Sequence, residues 1–366
     1  MTDASPIDPT SDERCGSTTQ ESTVINPLHV QGWDRFVLSA KNYSFFHSSH
    51  WARVLHESYG YNPLYFATIH NGTMLAVIPC MEIKSVLTGK RGVSLPFTDY
   101  CEPIIGECCP DGTVHALLAK MIEYGKQAAW QSVEVRGNIN ESGQTAPAYR
   151  CYGHTLDTSK KEDELFTAFR DSTKRNIKKA IKEGVKIEIK QSLDAVRDFY
   201  RLNCLTRKEH GLPPQPFRFF ERVHQHVLCQ DKGLVILASY ADRYIAGAMF
   251  FHFGEKAIFK YGASDKQYQH HRANNLVMWE AIQWYSRNGY QSLCFGRTEP
   301  DNEGLLQFKR GWNATERTIL YYKYDVKKEA FVNGAANLSA GYRMIFHHMP
   351  IPLLKMTGSL LYRHNG

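Results

Sequence analysis

The chain has 366 residues, enough for two domains that each bury a core, and a hydrophobic fraction of 43% against 22% charged excludes a disordered or low-complexity protein. A formal charge of +7 favours an anionic partner and does not choose between nucleic acid, a phosphorylated substrate and an acidic lipid surface. The nine cysteines include no Cys-x-x-Cys pair, with Cys108 directly beside Cys109, and the close histidines (His47 and His50, His224 and His226, His270 and His271, His347 and His348) lack a cysteine or carboxylate pattern around them, so neither a disulfide framework nor a metal site is expected.

Residues 1–24 are polar and rich in Ser, Thr, Asp and Pro, and are expected to form a disordered tail. They lack the basic start and apolar core of a secretory signal, and no apolar run reaches the roughly 20 residues that cross a bilayer. A cytoplasmic protein is expected.

From there two similar passages follow one another. A helix over 49–59 leads to a strand at 64–70, an Asn71-Gly72 turn and a returning strand at 73–84. A helix over 217–229 leads to a strand at 234–240, a turn at Asp242-Arg243 and a return at 244–253. Aligning Ala67 with Ala238 places Asn71 on Asp242 and Met74 on Ile245. Each passage continues with an amphipathic helix (113–130; 273–288) and a strand (132–136; 292–296) that runs into a glycine and an arginine, Arg136-Gly137 and Gly296-Arg297. Two such units predict two related α/β halves with mixed sheets. A connecting helix at about 161–183, with Phe166, Phe169, Ile177 and Ile181 as its buried stripe, lies between them and ends at Gly184. Residues 326–366 form a tail that mixes apolar residues with Arg343, Lys355 and Arg363, and Pro350 and Pro352 interrupt any long helix there.

Four passages hold candidate chemistry. In the connector, Lys174, Lys178 and Lys182 share one helix face that Arg175 and Lys179 extend; it is either a solvated face or a grip for an anion. In the stretch from Cys294 to Trp312, Gly296 allows a sharp turn and Arg297 emerges at the C-terminal edge of a strand, where open α/β sheets bind ligands. Asn302 lies in the polar loop that follows, and Lys309 stands out of phase with the apolar Leu305, Phe308 and Trp312. In the loop from Ser94 to Pro103, Asp99 and Tyr100 sit among apolar residues; burial raises a carboxyl pKa, so Asp99 is a candidate proton acceptor or an Asx turn. Arg207 and His210, one turn apart at a helix end, line a shared surface or compensate the helix terminus.

These passages together resemble the FemAB-like branch of the GNAT acyltransferase superfamily, over about residues 27–362. The resemblance is carried by Phe295-Gly-Arg-Thr298, Asn302-Glu-Gly-Leu305, Phe308-Lys309 and Trp312, by Lys174-Arg-Asn-Ile-Lys-Lys179, and by Pro96-Phe-Thr-Asp-Tyr100. It implies tandem GNAT-like domains, 25–160 and 161–325, with 326–366 packing back or touching a membrane. It also implies an N-acyltransferase or aminoacyltransferase acting on an amine of a cell-envelope precursor or polysaccharide building block. No permanently bound cofactor is implied; the co-substrate is acyl-CoA or aminoacyl-tRNA, and the acceptor an anionic or lipid-linked molecule met at the inner membrane face. By position Lys309 and Asp99 correspond to residues with catalytic roles in the family; Arg297 is expected to act with them, and Lys174, Arg175, Tyr100, Asn302, Arg207 and His210 are expected to bind substrate. The usual Arg/Gln-x-x-Gly-x-Gly/Ala loop for CoA pyrophosphate is replaced by Gln269-His-His-Arg-Ala-Asn-Asn275, without glycine, which leaves the donor open. A non-catalytic protein, binding nucleic acid through the connector or a membrane surface through the tail, is the alternative.

Overall fold

A computed structural model describes residues 21–71, 73–107, 109–139, 145–334 and 340–364. Order begins inside the expected tail. β1 (Glu21–Ile25) pairs antiparallel with Tyr65–Ile69, so residues 21–24 are strand, and residues 1–20 of the expected tail lie outside the described residues.

In the first half, α1 (Trp33–Ser39) and α2 (Ser49–Tyr59) precede β2 (Asn62–Pro63), β3 (Tyr65–His70) and β4 (Thr73–Ile78). The return strand expected at 73–84 is broken at Pro79-Cys80, and β5 (Met81–Ser85) joins a different sheet. Asn71 has φ 49°, the left-handed backbone of a tight turn, and its expected partner Gly72 lies outside the described residues. β6 (Gly89–Val93), β7 (Ile104–Ile105), α3 (Thr113–Gln127), β8 (Ser132–Arg136) and β9 (Tyr149–Asp157) complete this half.

The connector is two helices, α4 (Glu162–Ala168) and α5 (Asp171–Lys182), with extended backbone at Phe169 and Arg170 between them. Phe169 and Ile177 are buried as expected, whereas Ile181 is 57% exposed. Ile181 lies four residues beyond Ile177 on the last turn, where Gly184 already directs the chain away from the core.

The second half runs through β10 (Lys186–Lys190), α6 (Leu193–Glu209), α7 (Phe217–His226), β11 (Gly233–Tyr240), β12 (Arg243–Phe253) and β13 (Lys256–Ser264). The turn between β11 and β12 falls one residue earlier than expected, on Ala241 and Asp242, whose φ values of 46° and 58° are those of a type I′ hairpin. Then come α8 (Ala273–Arg287), β14 (Ser292–Thr298), α9 (Glu303–Arg310), β15 (Thr315–Asp325), β16 (Ala330–Phe331), α10 (Ala340–His348) and α11 (Ile351–Leu361). The helix break at Pro350 is where the sequence places it.

Two sheets result. A four-stranded sheet has the order β1-β3-β4-β7, and a twelve-stranded sheet has the order β10-β11-β12-β13-β14-β9-β15-β8-β6-β5-β2, with β16 beside β15. The large sheet is mixed: β13 runs parallel to β14, and β6 parallel to β8. The division expected at residue 160 is not a clean cut, because β9 precedes that position in the chain yet lies between β14 and β15. β15 in turn pairs with β8 of the first half. The halves also share a core in which Phe45 and Trp51 meet Phe219 and Phe251 at ring distances of 4.9 to 6.0 Å.

Candidate active site

The site begins with a failure of strand pairing. β13 and β14 pair over Lys256 with Ser292, Ala257 with Leu293 and Ile258 with Cys294, and then part. On its other side β14 pairs with β9 through an irregularity between Cys294 and Arg297. Gly296 sits in that irregularity with φ 69°. A Cβ at Gly296 would stand 2.9 Å from Asp99 Oδ1, so both its backbone and its surroundings require glycine.

Asp99 arrives from the first half. Its loop is fixed by β8, where Arg136 N–H donates to Ser94 Oγ at 2.7 Å, and it passes through two left-handed non-glycine residues, Leu95 (φ 50°) and Phe97 (φ 59°). Asp99 Oδ1 accepts the Arg297 N–H at 3.2 Å, and Oδ2 accepts from Lys260 Nζ at 2.7 Å. The expectation that burial raises its pKa is corrected. Burial does push it up, but the Lys260 ammonium and the Arg297 side chain outweigh that, and the carboxyl is held below its ordinary range. Asp99 is an ionised anchor.

From the opposite side, Lys309 on α9 donates to the carbonyls of Gly296 and Arg297, both at 3.0 Å. It is 2% exposed, and this desolvation brings its pKa down to about 8 against the opposing pull of Asp99. Arg297 donates through Nη1 to the Tyr321 hydroxyl at 2.8 Å, and that hydroxyl donates to the Asp99 carbonyl at 2.8 Å. Tyr100 follows Asp99 with its ring 4.6 Å from the Arg317 guanidinium, and burial pushes its phenol well above the usual range. Lys309, Asp99, Arg297 and Tyr100, far apart in the chain, are thus gathered around one split in a sheet.

The remaining candidates lie elsewhere. Asn302 caps α9, its side chain accepting the Leu305 N–H at 3.2 Å. Arg207 donates to the Pro213 carbonyl at 3.3 Å and the Tyr362 hydroxyl at 2.8 Å, which ties α6 to the C-terminal end. Lys174 pairs with Asp171 on its own first turn at 3.0 Å and donates to the Thr167 carbonyl at 3.2 Å. Arg175 is exposed. α5 does begin against the end of α9, where Arg170 N–H donates to the Gly311 carbonyl at 3.0 Å, but Lys309 is buried and Arg175 faces solvent. His210 lines a cavity of about 460 Å³ bounded by β12, the outer half of β13, the start of α8, and Leu305 and Phe308 of α9. Burial, with Arg207 nearby, lowers the His210 pKa. The cavity wall includes Phe259 and Phe308, the chain neighbours of Lys260 and Lys309, but neither lysine.

Sequence reading missed Lys260 and Tyr321. Lys260 stands in the otherwise apolar run Ala257-Ile-Phe, and a lysine inside a buried strand is the signal that was available. The glycine-free loop is also informative: Arg272 adopts the left-handed backbone itself (φ 59°, ψ 26°) at the start of α8, so the turn forms without glycine.

Residues 167–310 match the family model described as an acetyltransferase (GNAT) domain. This part of the chain is similar to a GNAT domain. A curated relative, the UDP-N-acetylmuramoylpentapeptide-lysine N(6)-alanyltransferase of Weissella viridescens, is 23% identical over 176 residues, which is 47% of this chain and 52% of the relative. The chain therefore matches about half the length of that relative. Among solved structures it is similar to FemX (TM-score 0.64, 14% identity, covering 82% of this chain and 96% of that one). It is also similar to a tandem GNAT protein from the clavulanic acid biosynthesis pathway (TM-score 0.57, 8% identity, 84% and 99%) and to L-PGS from Bacillus licheniformis (TM-score 0.52, 11% identity, 86% and 94%). The fold is that of tandem GNAT-like halves, and the whole chain resembles the FemAB-like branch of the superfamily. The GNAT match and the alanyltransferase relative support an acyl- or aminoacyltransferase.

Proposed function

We propose that the chain transfers an acyl or aminoacyl group to an amine of a cell-envelope precursor or polysaccharide building block, by direct attack and without a covalent enzyme intermediate. The observation that carries this reading is the buried Lys309 ammonium on the Gly296 and Arg297 carbonyls, at the place where β13 and β14 separate. An ammonium has three donors, and two are taken by those carbonyls. The third serves the donor oxygen as it becomes anionic in the tetrahedral intermediate, where a fixed cation in a dry site is most effective. The acceptor nitrogen bonds to the acyl carbon, the C–O bond of an ester or the C–S bond of a thioester breaks, and the proton that the nitrogen gives up ends on the released hydroxyl or thiol.

Asp99, already ionised against Lys260, positions the peptide that Lys309 holds. His210 is the imidazole on the cavity wall, its pKa lowered by partial desolvation and by Arg207, and is available to take the proton. Both donor classes fit this reading. The GNAT match supports an acetyl-type donor, the alanyltransferase relative supports an alanyl donor with a nucleotide-linked muramoyl-pentapeptide acceptor, and the FemAB-like resemblance adds aminoacyl-tRNA and a lipid-linked acceptor met at the cytoplasmic face of a membrane. Tyr100 and Arg297, which share the split in the sheet with Lys309, complete the contacts with an anionic substrate.

The test offers the purified chain acetyl-CoA or alanyl-tRNA as donor with UDP-N-acetylmuramoyl-pentapeptide as acceptor, and reads products by mass spectrometry. One donor is expected to add its acyl mass to the acceptor amine. No adduct from either donor, or equal turnover by Lys309→Ala, overturns the reading.

A further inference from the structure

Most of the exposed large apolar side chains among the described residues fall in two segments, the C-terminal helices and the turn between β5 and β6. On the helices these are Met344 and Ile345 of α10 and Leu353, Met356 and Leu360 of α11, exposed by 49 to 65%. On the turn they are Val86 (93%) and Leu87 (66%). Hydrogen bonds join the two segments: Arg91 Nη2 donates to the His364 carbonyl at 2.6 Å, and His364 Nδ1 meets Ser85 Oγ at 3.0 Å.

α11 is apolar on both sides. Leu354 and Gly358, four residues apart, face inward; a Cβ on Gly358 would collide with the Pro214 carbonyl, so this side is pressed onto the body. Leu353, Met356 and Leu360, at helical spacing, are left outside. A helix against water presents polar residues there. An apolar outer face of this kind marks a surface that meets a partner or a membrane.

Charge selects the occupant. Residues 330–366 contain no Asp or Glu but carry Arg343, Lys355 and Arg363, and Lys90 is exposed beside the neighbouring turn. A two-fold self-interface would bring this patch against its own copy, cation facing cation with no carboxylate from the segment to answer. An anionic lipid surface answers both the apolar face and its basic surround. We propose that α10, α11 and the turn at Val86-Leu87 dock the protein on the surface of an anionic bilayer, lying in its interface without crossing it. α10 sits against the end of α6, with His347 Nδ1 on the Glu209 carbonyl at 3.2 Å and the Arg343 carbonyl packed over Gly211. His210, which lines the cavity, stands between the two residues that α10 touches, Glu209 and Gly211.

The test is co-sedimentation of the full chain with vesicles of phosphatidylcholine alone or mixed with phosphatidylglycerol, with no substrate present, so that its failure leaves acyl transfer standing. Binding is expected to be at least about tenfold stronger on the mixed vesicles. Met356→Asp/Leu360→Asp is expected to lose at least about tenfold of it, and Ile181→Asp, an exposed apolar residue on α5, none. Arg343→Glu/Arg363→Glu, which leaves the apolar contacts in place, gives a second reading should the first variant fold poorly, with a similar loss expected. The proposal is overturned by no preference for anionic vesicles, by folded variants that bind like the parent, or by a dimer in light scattering that Met356→Asp/Leu360→Asp dissociates.

Discussion

Asp99 and Lys309 hold opposite ends of one peptide unit. The carboxylate accepts the Arg297 N–H at 3.2 Å, and the ammonium donates to the Gly296 C=O at 3.0 Å. Because one residue comes from the first half and the other from α9, the orientation of that peptide reports whether the halves are joined correctly.

Lys309→Ala removes the cation and leaves two carbonyls without their donor. Turnover is expected to fall on the order of a hundredfold, the typical loss for one electrostatic contact to a developing oxyanion. Stability is expected to fall by about 1–3 kcal/mol from the unpaired carbonyls. Steady-state kinetics with urea unfolding checks both.

With its pKa lowered to about 8, Lys309 loses its charge just above neutrality. If the ammonium is the active form, kcat declines as pH rises through about 8, and this limb is absent in Lys309→Arg, which stays charged. The stability effect has the opposite slope. Since the folded value lies below that of a free lysine, the unfolded chain binds the extra proton between about pH 8 and the ordinary lysine range, so stability rises with pH across that window. Lys309→Met should lack this rise, and unfolding midpoints measured at several pH values for the two proteins decide it.

Asp99→Asn strands the Lys260 ammonium, whose side chain is 8% exposed. Breaking a buried pair from one side costs about 3–5 kcal/mol, and Asp99→Asn/Lys260→Met should recover most of the loss. Because the Asp99 carboxyl titrates below its ordinary value, its contribution is full above about pH 4 and disappears as pH falls through the folded value. An acid unfolding series on parent and double variant measures this.

Gly296→Ala must place a Cβ against Asp99 at a left-handed backbone position, and should cost at least about 1–2 kcal/mol. Gly304, in the first turn of α9 with nothing within 4 Å of where a Cβ would stand, is the matched control, and its alanine variant should be neutral or slightly stabilising. Chemical denaturation of the pair separates site strain from a general glycine effect.

Asn302→Ala should cost about 1 kcal/mol through loss of the α9 cap. Asn302→Asp, which still caps, should restore it. A rise in KM with unchanged stability would return Asn302 to the substrate.

Local pattern carried much of the fold. α2 and β8 fall on the expected residues, because helix spacing and strand alternation are properties of short segments. What local pattern could not carry was any relation set by distant contact. Asp99 was visible as a carboxyl among apolar residues, but the sign of its pKa shift depends on Lys260, 161 positions away in the chain. Asn302 belonged to a family motif, and only the hydrogen bond to Leu305 distinguishes a cap from a ligand. Lys174 and Lys309 both stand in family motifs; one meets Asp171 at the surface and the other is enclosed.

The placement of β9 between β14 and β15 means that neither half is a self-sufficient unit. Severing the chain near residue 160 would separate β9 from both of its neighbours, exposing bare edges on β14 and β15 that invite aggregation. A productive chain must therefore await synthesis of β15 before its middle closes, and grafting one half onto a foreign partner would require exchanging β9 and β15 along with it.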